Sequence, residues 1–428
     1  MSIIGNGSAD RPLSEDQIAG IVDQAMASWD CRGQRVLVLV PDLTRSCPVP
    51  LMFRLLYERL SDTASALDFM VALGTHQPLD EEQMCTLFGI TADERDHKYN
   101  RSRFLNHAWN DPSHLCEVGR FTKSDISELT NGLFELDVTV TCNRAVRDYD
   151  RLLIVGPVFP HEVAGFSGGN KYIFPGISGP EVLNFFHWLG AVITNPRIIG
   201  KKWTPVRRVI DRSAEMLPIE RKAFCLVVKG HDPAGLYFGT PEDAWSAASD
   251  LSRQLHTVYK DQPFHTVLSC APKMYDELWV GAKCMYKLEP VVADGGRLII
   301  YAPHIHDIAA AHDLIIREIG YHTCAYFLNQ WDRFKDYPWG VVAHSTHVKG
   351  IGSYEDGVEK PRIDVVLATG IPEEVCREIN LGYMDPAGID PAAYANREEE
   401  GVLLVPNAGE VLYRLNDAPP ELGGADET

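Results

Sequence analysis

The stretch Pro160-His161-Glu162-Val163-Ala164-Gly165-Phe166-Ser167-Gly168-Gly169-Asn170-Lys171-Tyr172-Ile173-Phe174-Pro175-Gly176 follows an apolar run, Leu152-Leu153-Ile154-Val155-Gly156. That run is short, rich in branched side chains and closed at both ends by breakers, so it reads as a buried parallel strand. The glycines then lie just past a strand end, where open α/β sheets bind ligands and where a chain without Cβ atoms lets its backbone approach an anion. His161 and Lys171 flank them. Taken alone, the same glycines serve equally as turn-makers with Lys171 in solvent.

Two earlier strand ends carry residues of the same kind. Arg35-Val36-Leu37-Val38-Leu39-Val40 empties into Pro41-Asp42-Leu43-Thr44-Arg45-Ser46-Cys47-Pro48. A carboxylate, a hydroxyl and a guanidinium within four residues suit a phosphate or carboxylate ligand, helped by the free N–H groups of a helix expected over 51–60. An Asp42–Arg45 pair that only tightens the turn is the other reading. Phe69-Met70-Val71-Ala72-Leu73 ends in Gly74-Thr75-His76-Gln77-Pro78, which holds an imidazole suited to acid/base work on rigid structure. Neighbouring parallel strands would bring Asp42, Arg45, His76, His161 and Lys171 within reach of one ligand. A helix over 180–189, opened by Pro180, carries His187 among aromatics, where a packed core histidine is the plainer reading.

The grammar repeats after residue 262. Strands are expected over 266–269, 296–301 and 364–368, and helices over 274–292, 307–319 and 372–379. The expected fold is therefore α/β, with two domains of mainly parallel sheets flanked by helices and an active site in the cleft between them. Residues 1–262 would form a cofactor-binding catalytic domain, 263–405 a capping domain, and 406–428 a segment returning to the first. Pro303-His304-Ile305-His306 and His344-Ser345-Thr346-His347 read as strand ends offering imidazoles, and as weak metal signals.

Composition narrows the classes. With 45% apolar and 23% charged residues the chain is an ordinary globular one, and a net charge of −19 argues against nucleic acid or an anionic membrane as partner. No apolar run approaches a membrane span and no basic-then-apolar leader opens the sequence, so a cytoplasmic location is expected. The ten cysteines include no CxxC pair and no zinc-like spacing.

Taken in order, Asp42-Leu43-Thr44-Arg45, Gly74-Thr75-His76-Gln77-Pro78, Asn106-His107, Asn143-Arg144, the block 160–176, His187 and Leu404-Val405-Pro406-Asn407-Ala408-Gly409 resemble the nickel-dependent lactate racemases and their 2-hydroxyacid racemase and epimerase relatives. The resemblance implies a nickel-pincer nucleotide, a pyridinium mononucleotide whose two sulfur arms hold nickel, supplied by cofactor-biosynthesis proteins and attached covalently at Lys171. It implies His187 as a nickel ligand, and Asp42, Leu43, Thr44, Arg45, Gly168 and Gly169 as the cofactor cradle. His76 and His161 match the catalytic pair, and Arg45 and Lys283 the substrate contacts. The implied reaction inverts C2 of a small-molecule 2-hydroxy acid by reversible hydride transfer, with one histidine taking the hydroxyl proton and the other returning one.

One segment departs from the family. Lactate-specific members carry Tyr-Gln-x-x-Lys, whereas Trp279-Val280-Gly281-Ala282-Lys283 keeps the lysine and puts Val280 in place of the amide. A substrate larger or more polar than lactate follows, with His304, His306, His344 and His347 as further polar groups. A nucleotide-using transferase fails because Asn170-Lys171-Tyr172 lacks the Gly-Lys-Ser/Thr of a phosphate loop. A non-catalytic carrier of the nickel-pincer nucleotide would need Lys171 and His187 but not both His76 and His161.

Overall fold

The larger sheet runs in the order Ile4–Gly7, Asp232–Gly239, Glu220–Lys229, Arg151–Pro157, Arg35–Val40, Ala66–Val71 and Phe104–Asn106. The structure, a computed structural model, describes residues 3–424. The last five of these strands are parallel, and the first two are antiparallel additions at one edge. From Arg35–Val40 the chain builds outward through Ala66–Val71 to Phe104–Asn106, then returns to lay Arg151–Pro157 on the other side. The strand order thus reverses between Arg35–Val40 and Arg151–Pro157, which is where open α/β sheets bind ligands.

Helix Glu15–Ser28 starts in a capping box made by Ser14 and Gln17. It buries Ile18, Ile21, Val22 and Ala25 in one core with Val36, Val38, Phe53 and Phe69. Each Val, Ile or Phe side chain so taken from water contributes about 1.5–3 kcal/mol.

The chain divides into two compact units. One holds the residues up to Phe159 with Phe166–Leu183 and Arg207–Leu255; the other holds Pro160–Gly165, Asn184–Val206 and the chain from His256 onward. The second unit has an all-parallel sheet in the order Gly382–Tyr383, Asp364–Thr369, Val292–Ala302, Phe264–Cys270 and Val402–Val405. Its strand Leu412–Leu415 lies parallel to Thr257–Lys260.

The α/β class with parallel sheets and flanking helices is as the sequence indicates, but three local expectations change. The single helix expected over 274–292 is two short ones, Leu278–Gly281 and Lys283–Tyr286, followed by a 3-10 turn at Glu289–Val291; Pro290, with no N–H to donate, stops the helix from running on to 292. The helix expected from 307 begins only at Asp313. His344 and His347 follow no strand; they lie inside helix Trp339–Lys349, whose residues from Val341 to Val348 are all buried. No helix among the described residues is long and apolar enough to cross a membrane.

Candidate active site

In the first unit three neighbouring strand ends converge. Asp42, 6% exposed, lies just past Arg35–Val40 and accepts the backbone N–H and hydroxyl of Thr44 on Oδ1, at 3.0 and 2.7 Å. Its Oδ2 accepts Nδ1–H of His76, from the adjacent strand end, at 2.5 Å. Burial alone would raise the Asp42 carboxyl, but the charge and hydrogen bond of His76, with Arg45 and Thr44, hold it well below the usual carboxylate range. An ionised carboxylate can only accept, so a neutral His76 ring carries its hydrogen on Nδ1 and has its lone pair on Nε2. Trp109 Nε1 donates to the His76 carbonyl at 3.2 Å and fixes the loop.

The Lys171 turn is joined to this corner through the backbone. Gly176 N donates to Lys171 O at 3.1 Å, and Gly74 N donates to Gly176 O at 3.0 Å. Tyr172 is buried beside the Asp42 loop, close enough for Cys47, Arg45 and Asp42 to influence its phenol, which burial lifts well above its usual range. A Cβ at Gly156 would meet the Tyr172 ring at 2.3 Å, which explains the glycine ending strand Arg151–Pro157. Gly168 and Gly169 have φ of +88° and +59°, and the space of their absent side chains is filled by Val158 and Trp245. A ligand there would meet backbone rather than an opened cleft. Leu43 likewise packs its side chain on the core. Gly74 differs: at φ +59° it has nothing within 4 Å of an added Cβ, so space opens beside His76.

His161 and His187 belong to the second unit. His161 is 8% exposed, and its Nδ1 accepts the backbone N–H groups of Val163 and Ala164 at 3.1 and 3.4 Å. The neutral ring therefore carries its hydrogen on Nε2, the opposite tautomer from His76. Glu162 Oε2 stands 3.3 Å from the same Nδ1, placed to stabilise a doubly protonated ring. His187 is half-buried in helix Pro180–Ile193, stacked on Phe186 at 4.9 Å. Gly190, one turn along that helix, faces Val163, which a Cβ would meet at 3.1 Å. Lys283 Nζ sits 4.6 Å above the Tyr275 ring. Of the four further histidines, His304 Nε2 bonds the Tyr275 carbonyl at 3.0 Å and His306 is exposed, while His344 and His347 are buried.

A family model for the lactate racemase N-terminal domain matches residues 19–198. The lactate racemase of Lactiplantibacillus plantarum is 24% identical over 193 residues, 44% of this chain and 39% of that protein. The lactate racemase of Thermoanaerobacterium thermosaccharolyticum is 22% identical over 274 residues, 63% of this chain and 60% of that one. Residues 19–198 of the chain belong with the lactate racemase N-terminal domain. The chain thus aligns with about two fifths and three fifths of those relatives' lengths. A crystal structure of a Thermotoga maritima protein, a structural-genomics target, is 33% identical with a TM-score of 0.88, covering 96% of this chain and 100% of that one. The lactate racemase apoprotein of Thermoanaerobacterium thermosaccharolyticum shares the fold, with a TM-score of 0.71 at 17% identity over 94% of this chain and 93% of that one.

Sequence reasoning missed what holds the family's glycine block in place. Arg207, 1% exposed, donates to the carbonyls of Phe166 at 2.7 Å and Gly168 at 3.4 Å, and stacks on Trp245 at 3.9 Å. Asn170 donates to Asp211 at 3.0 Å and Glu242 at 2.6 Å. The available signal was Arg207 standing among Val206, Val209 and Ile210. The Asn106-His107 segment also finds its role: Asn106 clasps both backbone groups of Leu79, and His107 bridges Asn143 and the Ser178 carbonyl.

Proposed function

We propose that this protein is a racemase or epimerase that inverts C2 of a 2-hydroxy acid larger or more polar than lactate, using a nickel-pincer nucleotide tethered at Lys171. The observation that carries the reading is the Asp42–His76 hydrogen bond at 2.5 Å, which prepares a base one strand from the Lys171 turn in a chain with this N-terminal domain.

The residues fit such a group. Arg45, which acts on the Asp42 carboxylate, would be the counter-charge for a phosphate; the first turn of helix Val49–Leu60 adds little, since the Val49 and Met52 N–H groups already donate to the Cys47 and Pro48 carbonyls at 2.8 and 3.1 Å and Pro50 has none. Among the described residues no three His, Cys, Asp or Glu side chains converge on a metal position, so nickel at His187 would draw its other donors from the bound group, and imidazole suits that metal. Asp42, Leu43, Thr44, Arg45, Gly168 and Gly169 would hold the nucleotide, the last two through backbone groups.

When bound, the group supplies the acceptor for the hydride from C2. His76 Nε2 takes the proton of the 2-hydroxyl, and Asp42 stabilises the charge that the ring gains. Doubly protonated His161, its Nδ1 proton facing Glu162, gives its Nε2 proton to the oxygen as the opposite stereoisomer forms and is left neutral, and the two histidines exchange roles in the reverse direction. Arg45 and Lys283 hold the carboxylate, Lys283 as a point charge.

Intact mass and nickel content of protein produced with the cofactor-making machinery test the reading, wild type beside Lys171→Ala. A nickel-bearing covalent adduct on the wild type alone supports it. Wild type without an adduct despite a working cofactor supply removes it.

A further inference from the structure

Helix Trp339–Lys349 of the second unit buries polar atoms that nothing satisfies. His344 is 9% exposed with no hydrogen-bond partner at Nε2, and Tyr321, fully buried, has none at its hydroxyl. Native interiors rarely leave such atoms unpaired, and each instance calls for a guest or a function. The two rings meet edge to face at 5.9 Å. His344 also stacks on Trp279 at 3.8 Å, and His312 lies against the same indole at 4.6 Å. His187 is in the same unit, close enough for its charge to act on His344.

This cluster stands one helical turn from Lys283. Ala282 is in helical conformation, so the turns Leu278–Gly281 and Lys283–Tyr286 are nearly continuous. Trp279 and Lys283 therefore share a face, separated by about 6 Å along the axis. A three-carbon acid anchored at Lys283 ends short of the cluster; a longer chain carries its hydroxyls to it. Glu277 and Asp313 act electrostatically on the Tyr321 hydroxyl, so a second carboxylate would meet negative charge. Imidazole and phenol can each donate to or accept from a neutral hydroxyl.

We propose that Trp279, His312, Tyr321 and His344 form the subsite for the hydroxylated tail of a polyhydroxy monocarboxylic acid, a proposal that rests on Lys283 as carboxylate anchor in the reading above. Val280, which replaces the family's amide, is then one part of a remodelled pocket.

Calorimetric titration of the full chain with D-gluconate, lactate and malate as probes tests it. Gluconate should bind at least about tenfold more tightly than either. His344→Phe keeps the stack on Trp279 but removes Nε2, and Tyr321→Phe removes one hydroxyl; each should weaken gluconate about three- to tenfold and leave lactate unchanged. Equal affinity for the acids, preference for malate, or no gluconate binding overturns the proposal. So do variants that keep full gluconate affinity, since water alone would then fill the cluster. If His344→Phe does not fold, Tyr321→Phe decides. Inversion at C2 is scored separately on cofactor-loaded protein. Gluconate bound through the cluster without inversion of any acid keeps the subsite and removes the racemase reading; inversion of lactate with no preference for gluconate does the reverse.

Discussion

His107 and His347 are both buried imidazoles pushed down to about 4, burial being the main cause in each, yet they are held in opposite ways. In the first unit His107 Nε2 bonds the Ser178 carbonyl at 3.0 Å and Nδ1 meets Asn143 Nδ2 at 3.1 Å. In the second, His347 Nε2 has no partner, like His344 one turn earlier. His107, Asn143 and the Ser178 carbonyl are tied to one another into a frame that exists before any ligand arrives. Nε2 of His344 and of His347 is left for something else to satisfy. On the proposed reading the frame serves chemistry common to the family, and the unpaired groups are where this chain's substrate is chosen.

The frame breaks most severely at Asp42. In Asp42→Asn the amide no longer enforces Nδ1–H on His76, so the base is lost to the wrong tautomer. The expected loss in kcat is about 10²–10⁴-fold with a smaller change in KM. Steady-state kinetics on cofactor-loaded protein check this, and a KM effect with kcat unchanged would remove Asp42 from the acid/base system.

Next in size is Arg207→Met, which leaves Asp211 without its buried partner at 3.8 Å and the Phe166 carbonyl without its donor. A cost of about 3–5 kcal/mol in urea unfolding is expected. A loss below about 1 kcal/mol would mean that the glycine block stands without the clamp.

These two cases also mark what the sequence disclosed. The strand ends at Asp42, His76 and Lys171 were legible because short apolar runs closed by breakers announce parallel strands, and ligand sites lie at their carboxyl ends. Arg207 was harder to see, because a helical arginine ordinarily faces water and its only signal is the company of Val206, Val209 and Ile210. The helix carrying His344 and His347 was misread for a related reason. Buried on every side, it has no polar face and hence no helical period, so Val341-Val342 before His344 reads as the end of a strand.

Acid unfolding sharpens the comparison between the two imidazoles. With a folded pKa of about 4 and an ordinary value near 6.5, the unfolded chain binds the proton first as pH falls. Stability present above pH 6.5 is therefore lost progressively until about pH 4 and levels off below, each histidine contributing of order 1–3 kcal/mol. Phe in place of either should remove its share of that loss. At pH 7, however, His107→Phe should cost about 1–3 kcal/mol by stranding Asn143 and the Ser178 carbonyl, whereas His347→Phe leaves no partner of Nε2 unpaired and should cost less. Melting temperatures across pH for the two variants decide it; equal costs at pH 7 would erase the distinction.

The smallest effect is expected at Glu162, and it tests the contrast between the two proposed catalytic rings. Asp42 is hydrogen-bonded to His76 in the neutral state, so it sets the tautomer. Glu162 faces an Nδ1 that already accepts two backbone N–H groups, so it gains an interaction only when His161 holds a second proton. Glu162→Gln should therefore leave the neutral ring in place and weaken only its protonated form. The expected result is a few-fold fall in kcat, with the alkaline limb of the pH profile moved to lower pH because the acid form is no longer supported. An unmoved limb would mean that the backbone amides alone set the proton on His161, and that the two histidines differ only in which nitrogen is held.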